Sequence, residues 1–430
     1  MRHLVSALAV LCLAVFAAEP ARALPETGAL ALPFVSLTSG DFRDLEPLRA
    51  RLADARVVQL GESSHGTAEY SMAKTRLVRF LHEEMGFDVI ALESDPYLCA
   101  MADRTAASAP PEATLTSCAF GVWHTREVLE LFAYVRSTRQ TARPLLIAGY
   151  DIQPIGPGKA GRPDFLAEVV RQVDPGLAET ARTLDAEFLE IYGLGGSSRR
   201  ARLRENRSEL LARYDDLHRF LVRNEAELLQ RHADKGDPSA PLLAQQIVWS
   251  AIQYIRLQTA PDAVAYGEER DWGMAQNLIF LTERLHPGRK VIAWAHNAHI
   301  AYGNHLVDLT GIDEPAAVGR GAGTWLQRHF GSDLFTVGLY AASGSMTRND
   351  REIVTVSPVL PGSLEARPIP ESAAAMLYVE PLRAGGDPFW DRPTTAKYWG
   401  AADIPMTLRE QYDAVLLLRS VSPPAYLSPA

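Results

Sequence analysis

The chain has 430 residues, 47% of them apolar, and a formal net charge of −9. That length exceeds what one ordinary domain needs and supports a large buried core, and one α/β domain carrying an insertion accommodates it as well as two domains do. The acidic balance argues against nucleic acid or an anionic lipid surface as partner, and three cysteines are too few for a disulfide scaffold.

Met1, Arg2 and His3 open the chain, an uncharged apolar run extends from Leu4 to Ala18, and Ala21-Arg22-Ala23 precedes Leu24. A charged start, a short apolar core and a small-x-small cleavage site predict a secretory signal peptide over residues 1–23. The run is too short to span a bilayer comfortably, and Cys12 follows Leu11, where a lipoprotein signal wants a small residue. The expected product is a periplasmic or secreted chain with no stable membrane insertion. Loss of Arg2, Glu19 and Arg22 brings its charge to −10. Of the cysteines only Cys99 and Cys118 then remain; in an oxidising compartment they form one bridge or stay as two separately buried thiols, and the sequence leaves both open.

Residues 24–164 read as the first part of an α/β core. Val57 to Leu60 is a strand, Gly61 to Gly66 a loop, and Thr67 to Met85 a helix with Tyr70, Ala73, Leu77 and Leu81 on one face, stopping at Gly86. Val89 to Leu92 is the next strand, Val128 to Val135 a helix and Leu145 to Ala148 a third strand. Strands alternating with helices predict a mostly parallel sheet flanked by helices. From 165 to 262 the pattern turns to helix after charged helix, with breaks at Gly193 to Ser198 and Asp234 to Pro238, which predicts an insertion of two to four helices forming a lid or side domain. Its Arg199, Arg200, Arg202, Arg204 and Arg207 read as a solvated helix face. Residues 263–430 return to the core: a helix through Ala275 to Leu285, the strand Val291 to Ala295, a helix near Thr324 to His329, and the strands Phe335 to Leu339 and Ala414 to Leu418, with a proline-rich loop from Ser357 to Pro370.

Ionisable residues follow each of the first four strands: Glu62 and His65, then Glu93, then Asp151, then His296 and His299. Parallel α/β sheets bind ligands at the carboxyl ends of their strands, where the loops gather, so four segments would bring carboxylates and imidazoles to one rim. One such residue after a strand is more often a cap or a loop-ordering group, and Asp151 is read that way from position alone. Glu62 and His65 stand apart because two glycines flank them at a strand-to-helix turn. A histidine suits proton abstraction from water near neutral pH, with Glu62 or Glu93 orienting the ring. A second imidazole, from His296 or His299, or the amine of Lys74 would steady a developing oxyanion. Lys74 is placed two turns into its helix, opposite the apolar stripe.

There is no Gly-x-Ser-x-Gly, His-Glu-x-x-His, dinucleotide fingerprint or P-loop. Ser63 and Ser64 lack the elbow that exposes a serine nucleophile. A metal site is the serious rival: His65, Glu62, Glu93, His296 and His299 are all competent ligands, and a metal-bound water also hydrolyses esters. His296 and His299 share a face only if a helix begins there.

The chain resembles the erythromycin esterase family through Gly61-Glu62-Ser63-Ser64-His65-Gly66-Thr67, the following helix with Lys74 and Arg76, Leu92-Glu93, Trp123 ahead of Arg126-Glu127, Gly149-Tyr150-Asp151, Arg270-Asp271 with Met274 and Asn277, and Ala295-His296-Asn297-Ala298-His299. The resemblance runs from about residue 40 to the C-terminus. It implies metal-independent, cofactor-free hydrolysis of an ester or macrolide lactone, with His65 as base and Glu62, Glu93 and His296 beside it. By the same resemblance Lys74, His299, Asp151 and Trp123 line the substrate site. The family often carries arginine at or near the Lys74 position, and Arg270 with Asp271 reads as a buried ion pair holding its helix. A non-catalytic binding protein on the same fold is the third reading.

Overall fold

The structure, a computed structural model, describes residues 31–309, 319–369, 372, 374–378 and 388–427. The signal-peptide segment lies outside them. Twelve strands occur among the described residues: β1 (Ala31–Phe34), β2 (Val57–Leu60), β3 (Phe87–Leu92), β4 (Leu146–Gly149), β5 (Lys290–Trp294), β6 (Leu334–Ala341), β7 (Ser345–Thr347), β8 (Ile353–Thr355), β9 (Ala374–Tyr378), β10 (Thr394–Lys397), β11 (Asp403–Met406) and β12 (Ala414–Leu418). Eight form one sheet in the order β1-β9-β12-β6-β2-β5-β3-β4. The six from β12 to β4 run parallel, while β9 and β1 close one edge antiparallel. The mostly parallel α/β fold is therefore as expected.

The strands are short continuous apolar runs because helices cover both faces, so there is no solvent side to alternate towards. In β2 all four side chains are buried, and the one polar member, Gln59, donates to Thr336 Oγ1 at 2.7 Å. Helices Ala68–Met85 and Arg126–Thr138 pack on one face with Leu77, Leu81, Leu131 and Val135. Helices Ala263–Phe280 and Ala322–Phe330 cover the other with Met274, Leu278 and Leu326.

Between Arg162 and Gln258 the chain is helical, with six α-helices and no strand among the described residues. That exceeds the two to four expected. Charged residues run across the breaks at Asn206 and Asn224, each of which ends one helix and starts the next, and so hide them. These helices share a core of their own, from Leu166 and Phe188 to Tyr254. Helix Ala263–Phe280 begins well before Ala275, its Asp262 side chain accepting from Ala265 N–H at 2.8 Å. Cys99 and Cys118 form a disulfide across helices Pro96–Thr105 and Pro111–Cys118.

Candidate active site

Four parallel strands deliver the site. Glu62 and His65 follow β2, Glu93 follows β3, Asp151 follows β4, and His296 follows β5 as the N-cap of the short helix Asn297–Ile300. Because β2, β5, β3 and β4 are neighbours pointing the same way, their carboxyl ends form one rim. The Gly61 to Gly66 turn is held from two sides. Asn297 N–H donates to Glu62 O at 2.8 Å, and the Asn297 side chain exchanges hydrogen bonds with the backbone of Leu339. A Cβ on Gly61 would lie 2.1 Å from Asn297 Oδ1, and one on Gly66 2.0 Å from Thr347 O. These glycines let the chain approach its own protein, where the sequence had suggested a ligand.

Glu62 is fully buried and is the hub. Its Oε1 accepts from His65 Nδ1 at 2.7 Å and from Trp123 Nε1 at 2.8 Å, while Oε2 pairs with Lys74 Nζ at 2.7 Å. Burial opposes its ionisation, but Lys74 and His65 outweigh burial and hold the carboxyl below its ordinary range. With Nδ1–H committed to a carboxylate, His65 turns Nε2 to the cavity, where it has no hydrogen-bond partner among the described residues. The Trp123 ring stands edge-on to the imidazole at a centroid separation of 4.9 Å.

Two sequence expectations change here. Lys74 is buried and lies within the apolar stripe, four residues after Tyr70 and three before Leu77, not opposite it. It sits 3.8 Å from the centre of the Trp294 ring and reaches Glu62 from behind, so it lines no substrate surface. Burial lowers it to about 8 even though Glu62 pulls it up. Arg270 is not paired with Asp271. Its Nη2 donates to Glu93 Oε1 at 2.8 Å and to Asp151 Oδ2 at 2.7 Å, and Asp271 instead accepts from His299 Nδ1 at 2.7 Å. Asp151 is wholly buried behind this arginine and lies off the cavity wall.

Glu93 joins the two halves of the site. Its Oε2 accepts from His296 N–H at 3.0 Å and its Oε1 lies 3.3 Å from His299 Nε2. Burial opposes its charge, yet His299 and Arg270 keep it well below the ordinary carboxylate range. His299 is raised to about 10, because Asp271 and Glu93 outweigh burial and Arg270. Burial, with the neighbouring charges of His65 and His299, depresses His296 to about 3. Since His296 Nδ1 accepts from Ala298 N–H, its proton is on Nε2 and donates to Ser63 O at 3.1 Å. Helix Asn297–Ile300 does begin where a shared face for His296 and His299 requires, but the rings diverge, one to Ser63 and the other to Asp271.

For a metal, this donor set fits poorly. His296 has both ring nitrogens on backbone groups, His299 is held by Asp271 on Nδ1 and by Arg270 and Glu93 around Nε2, and only His65 presents a lone pair to the cavity. Among the described residues no three His, Cys, Asp or Glu side chains gather as a metal would need. Ser63 Oγ pairs with Tyr70 OH and Ser64 Oγ donates to Thr347 O, so neither hydroxyl is placed against an imidazole.

His65, Glu93 and Arg270 line two adjoining lobes. The larger, about 980 Å³, has His296, His299, Met346, Thr347 and Trp399 in its wall. The smaller, about 410 Å³, has Phe120, Val122, Trp123, Arg351 and Tyr426. Sequence reasoning missed the contribution of Asn349, Arg351 and Tyr426. The hairpin and tail that carry them offer no periodic pattern; the hairpin is placed by the bridge from Thr347 to Gly66, and the tail by Tyr426 against Thr125 and Thr347.

The parallel sheet thus gathers a histidine–carboxylate pair at the wall of an open two-lobed cavity. The chain belongs to the erythromycin esterase family, whose model, described as Erythromycin esterase, matches residues 82–421. It is 28% identical over 405 residues to the Bacillus subtilis protein named "Putative hydrolase YbfO", covering 89% of this chain and 87% of that one. Erythromycin esterase type I of Escherichia coli is 30% identical over 141 residues, 31% of this chain and 33% of that one. Among solved structures, a Bacillus cereus protein superposes with a TM-score of 0.77 at 18% identity, covering 93% of this chain and 97% of that one. A histidine-to-asparagine mutant of erythromycin esterase EreC in its open conformation gives a TM-score of 0.68 at 18% identity, covering 93% of this chain and all of that one, 100%. These two likenesses carry the fold; the family match makes the protein a hydrolase.

Proposed function

We propose that the protein is an exported carboxylic ester or lactone hydrolase in which His65 activates water. One observation carries the reading: the buried Glu62 accepts His65 Nδ1–H, which leaves Nε2 as a lone pair facing the cavity. In the reaction Nε2 takes a proton from water, Glu62 stabilises the imidazolium so formed, and the resulting hydroxide attacks the carbonyl. Arg270 and His299, on the same wall, are the groups placed to donate to the tetrahedral oxyanion. The proton then passes from His65 to the departing alkoxide, giving acid and alcohol. Export is supported by the signal-like residues 1–23 and by the Cys99–Cys118 bridge, since disulfides persist in oxidising compartments. A lobe of about 980 Å³ stands at the upper end of small-molecule sites, which suits a large lactone or an extended ester.

The test exposes metal-stripped mature protein, and His65→Ala beside it, to macrolide lactones and simple esters and weighs the products. Gain of one water by a substrate, abolished in His65→Ala, is the expected result. Turnover that appears only when a divalent ion is restored overturns the metal-free step. Ligand binding without turnover under either condition favours a binding protein.

A further inference from the structure

The reaction above leaves the β7–β8 hairpin without a role, although the turn of that hairpin forms a wall of both lobes. Arg351, in that turn, has φ 70°, the one positive value at a non-glycine residue among those described. An L side chain pays for that conformation, and such outliers persist where their surroundings over-determine them. Here the surroundings are plain. The Arg351 guanidinium lies over the Tyr426 ring, 4.3 Å from its centroid. Tyr426 is itself fixed, its hydroxyl 2.7 Å from Thr347 Oγ1 and its backbone bridged to Thr125.

The other charged groups near the smaller lobe already have partners. Arg270 lies between Glu93 and Asp151, Arg348 pairs with Glu352, Asp350 accepts from Glu352 N–H, and Glu127 accepts from Ala425 N–H. Arg351 lines the lobe with no ion pair among the described residues. A guanidinium stacked by its face keeps its N–H edge free for a carboxylate.

We propose that the smaller lobe is an anion subsite, where Arg351 receives a carboxylate that the substrate carries several bonds from its scissile carbonyl. Acidic esters, half-esters of dicarboxylic acids among them, are then the preferred substrate class. The inference rests on the ester-hydrolase reading, because the same lobe ends at His65 and Glu93. Phe120, Val122 and Trp123 give the linking chain an apolar wall.

Binding and turnover test it separately. In a His65→Ala background, calorimetry compares monomethyl glutarate with dimethyl glutarate, then repeats the pair with Arg351→Lys and Arg351→Gly added. Glycine fits the positive φ, so that variant removes the charge without new strain. The half-ester is expected to bind about ten-fold tighter at low salt, with the advantage lost in Arg351→Gly, partly kept in Arg351→Lys and shrinking as salt rises. Equal affinities, no detectable binding of the half-ester, or a preference that survives Arg351→Gly overturns the proposal. Hydrolysis of both esters by the His65-intact proteins reports on the base. A half-ester preference in binding with no turnover refutes that reaction and leaves the subsite standing.

Discussion

Glu62 carries more of this site than any other residue, because one carboxylate orients His65, anchors Trp123 and neutralises a buried lysine. Its replacement by Gln keeps the shape and removes the charge that stabilises the imidazolium. Glu62→Gln is expected to lower kcat by about 10²–10⁴-fold with little change in KM, measured on whichever ester the wild type cleaves. A loss below about five-fold would show that Glu62 merely packs the loop. At this scale the candidate pair was legible: a Glu and a His three apart in a glycine-bounded turn after a strand already predict a carboxylate-oriented imidazole. Lys74 was not. A lysine in a helical stripe normally extends its ammonium to water, and burial is tolerated here because Glu62, in a loop twelve residues earlier, pairs with it.

Each of the six parallel strands was recognisable because parallel strands buried on both faces are short, uninterrupted and rich in Val, Ile and Leu, whereas β1 and β9, at the antiparallel edge of the same sheet, were not read from the sequence. β7, β8, β10 and β11 are three or four residues long and take their conformation from their partners, so no local signal announces them. The disulfide is likewise a matter of elements. It ties helix Pro96–Thr105, which follows Glu93, to the segment that leads through Cys118 into the Gly121–Trp123 turn. Ser94 Oγ donates to Cys118 O across the same junction. Cys99→Ala/Cys118→Ala is expected to lose about 2–4 kcal/mol in urea denaturation. Its kcat should also fall, because Trp123 is positioned from this junction. Unchanged stability and unchanged kcat together would assign the bridge no part in holding the wall.

For the molecule as a whole, five buried groups at and behind the site set how stability depends on pH. His296 takes its proton near pH 3 when folded and near 6.5 when unfolded, so its contribution is lost as pH falls through that interval. Glu62 and Glu93, both held below their ordinary range, act in the same direction. His299 keeps its proton to about 10 when folded against 6.5 unfolded, so its contribution is lost as pH rises from 6.5. Lys74 gives up its proton near 8 when folded and near 10.5 unfolded, which restores some stability above pH 8. The urea midpoint, followed from acid to mild alkali, should peak near pH 6.5, decline on both sides and flatten above about 8. In His299→Gln the initial alkaline decline should vanish. A wild-type curve without that decline would contradict a charged His299.

The sequence by itself determined the parallel α/β core, the rim on which the ionisable residues fall, and the family. These follow from local periodicity and from the residue types that end each strand, and both are properties of adjacent positions. Only the tertiary structure decided which partner each ionisable group has. It moved Lys74 behind Glu62, set Arg270 between Glu93 and Asp151, turned His296 and His299 apart, joined Cys99 to Cys118, and brought Arg351 and Tyr426 to the cavity. Each of these is a contact between different elements of the chain rather than between adjacent positions. Its energy depends on burial and on a few tenths of an ångström, and neither is encoded in the spacing of residues along the sequence.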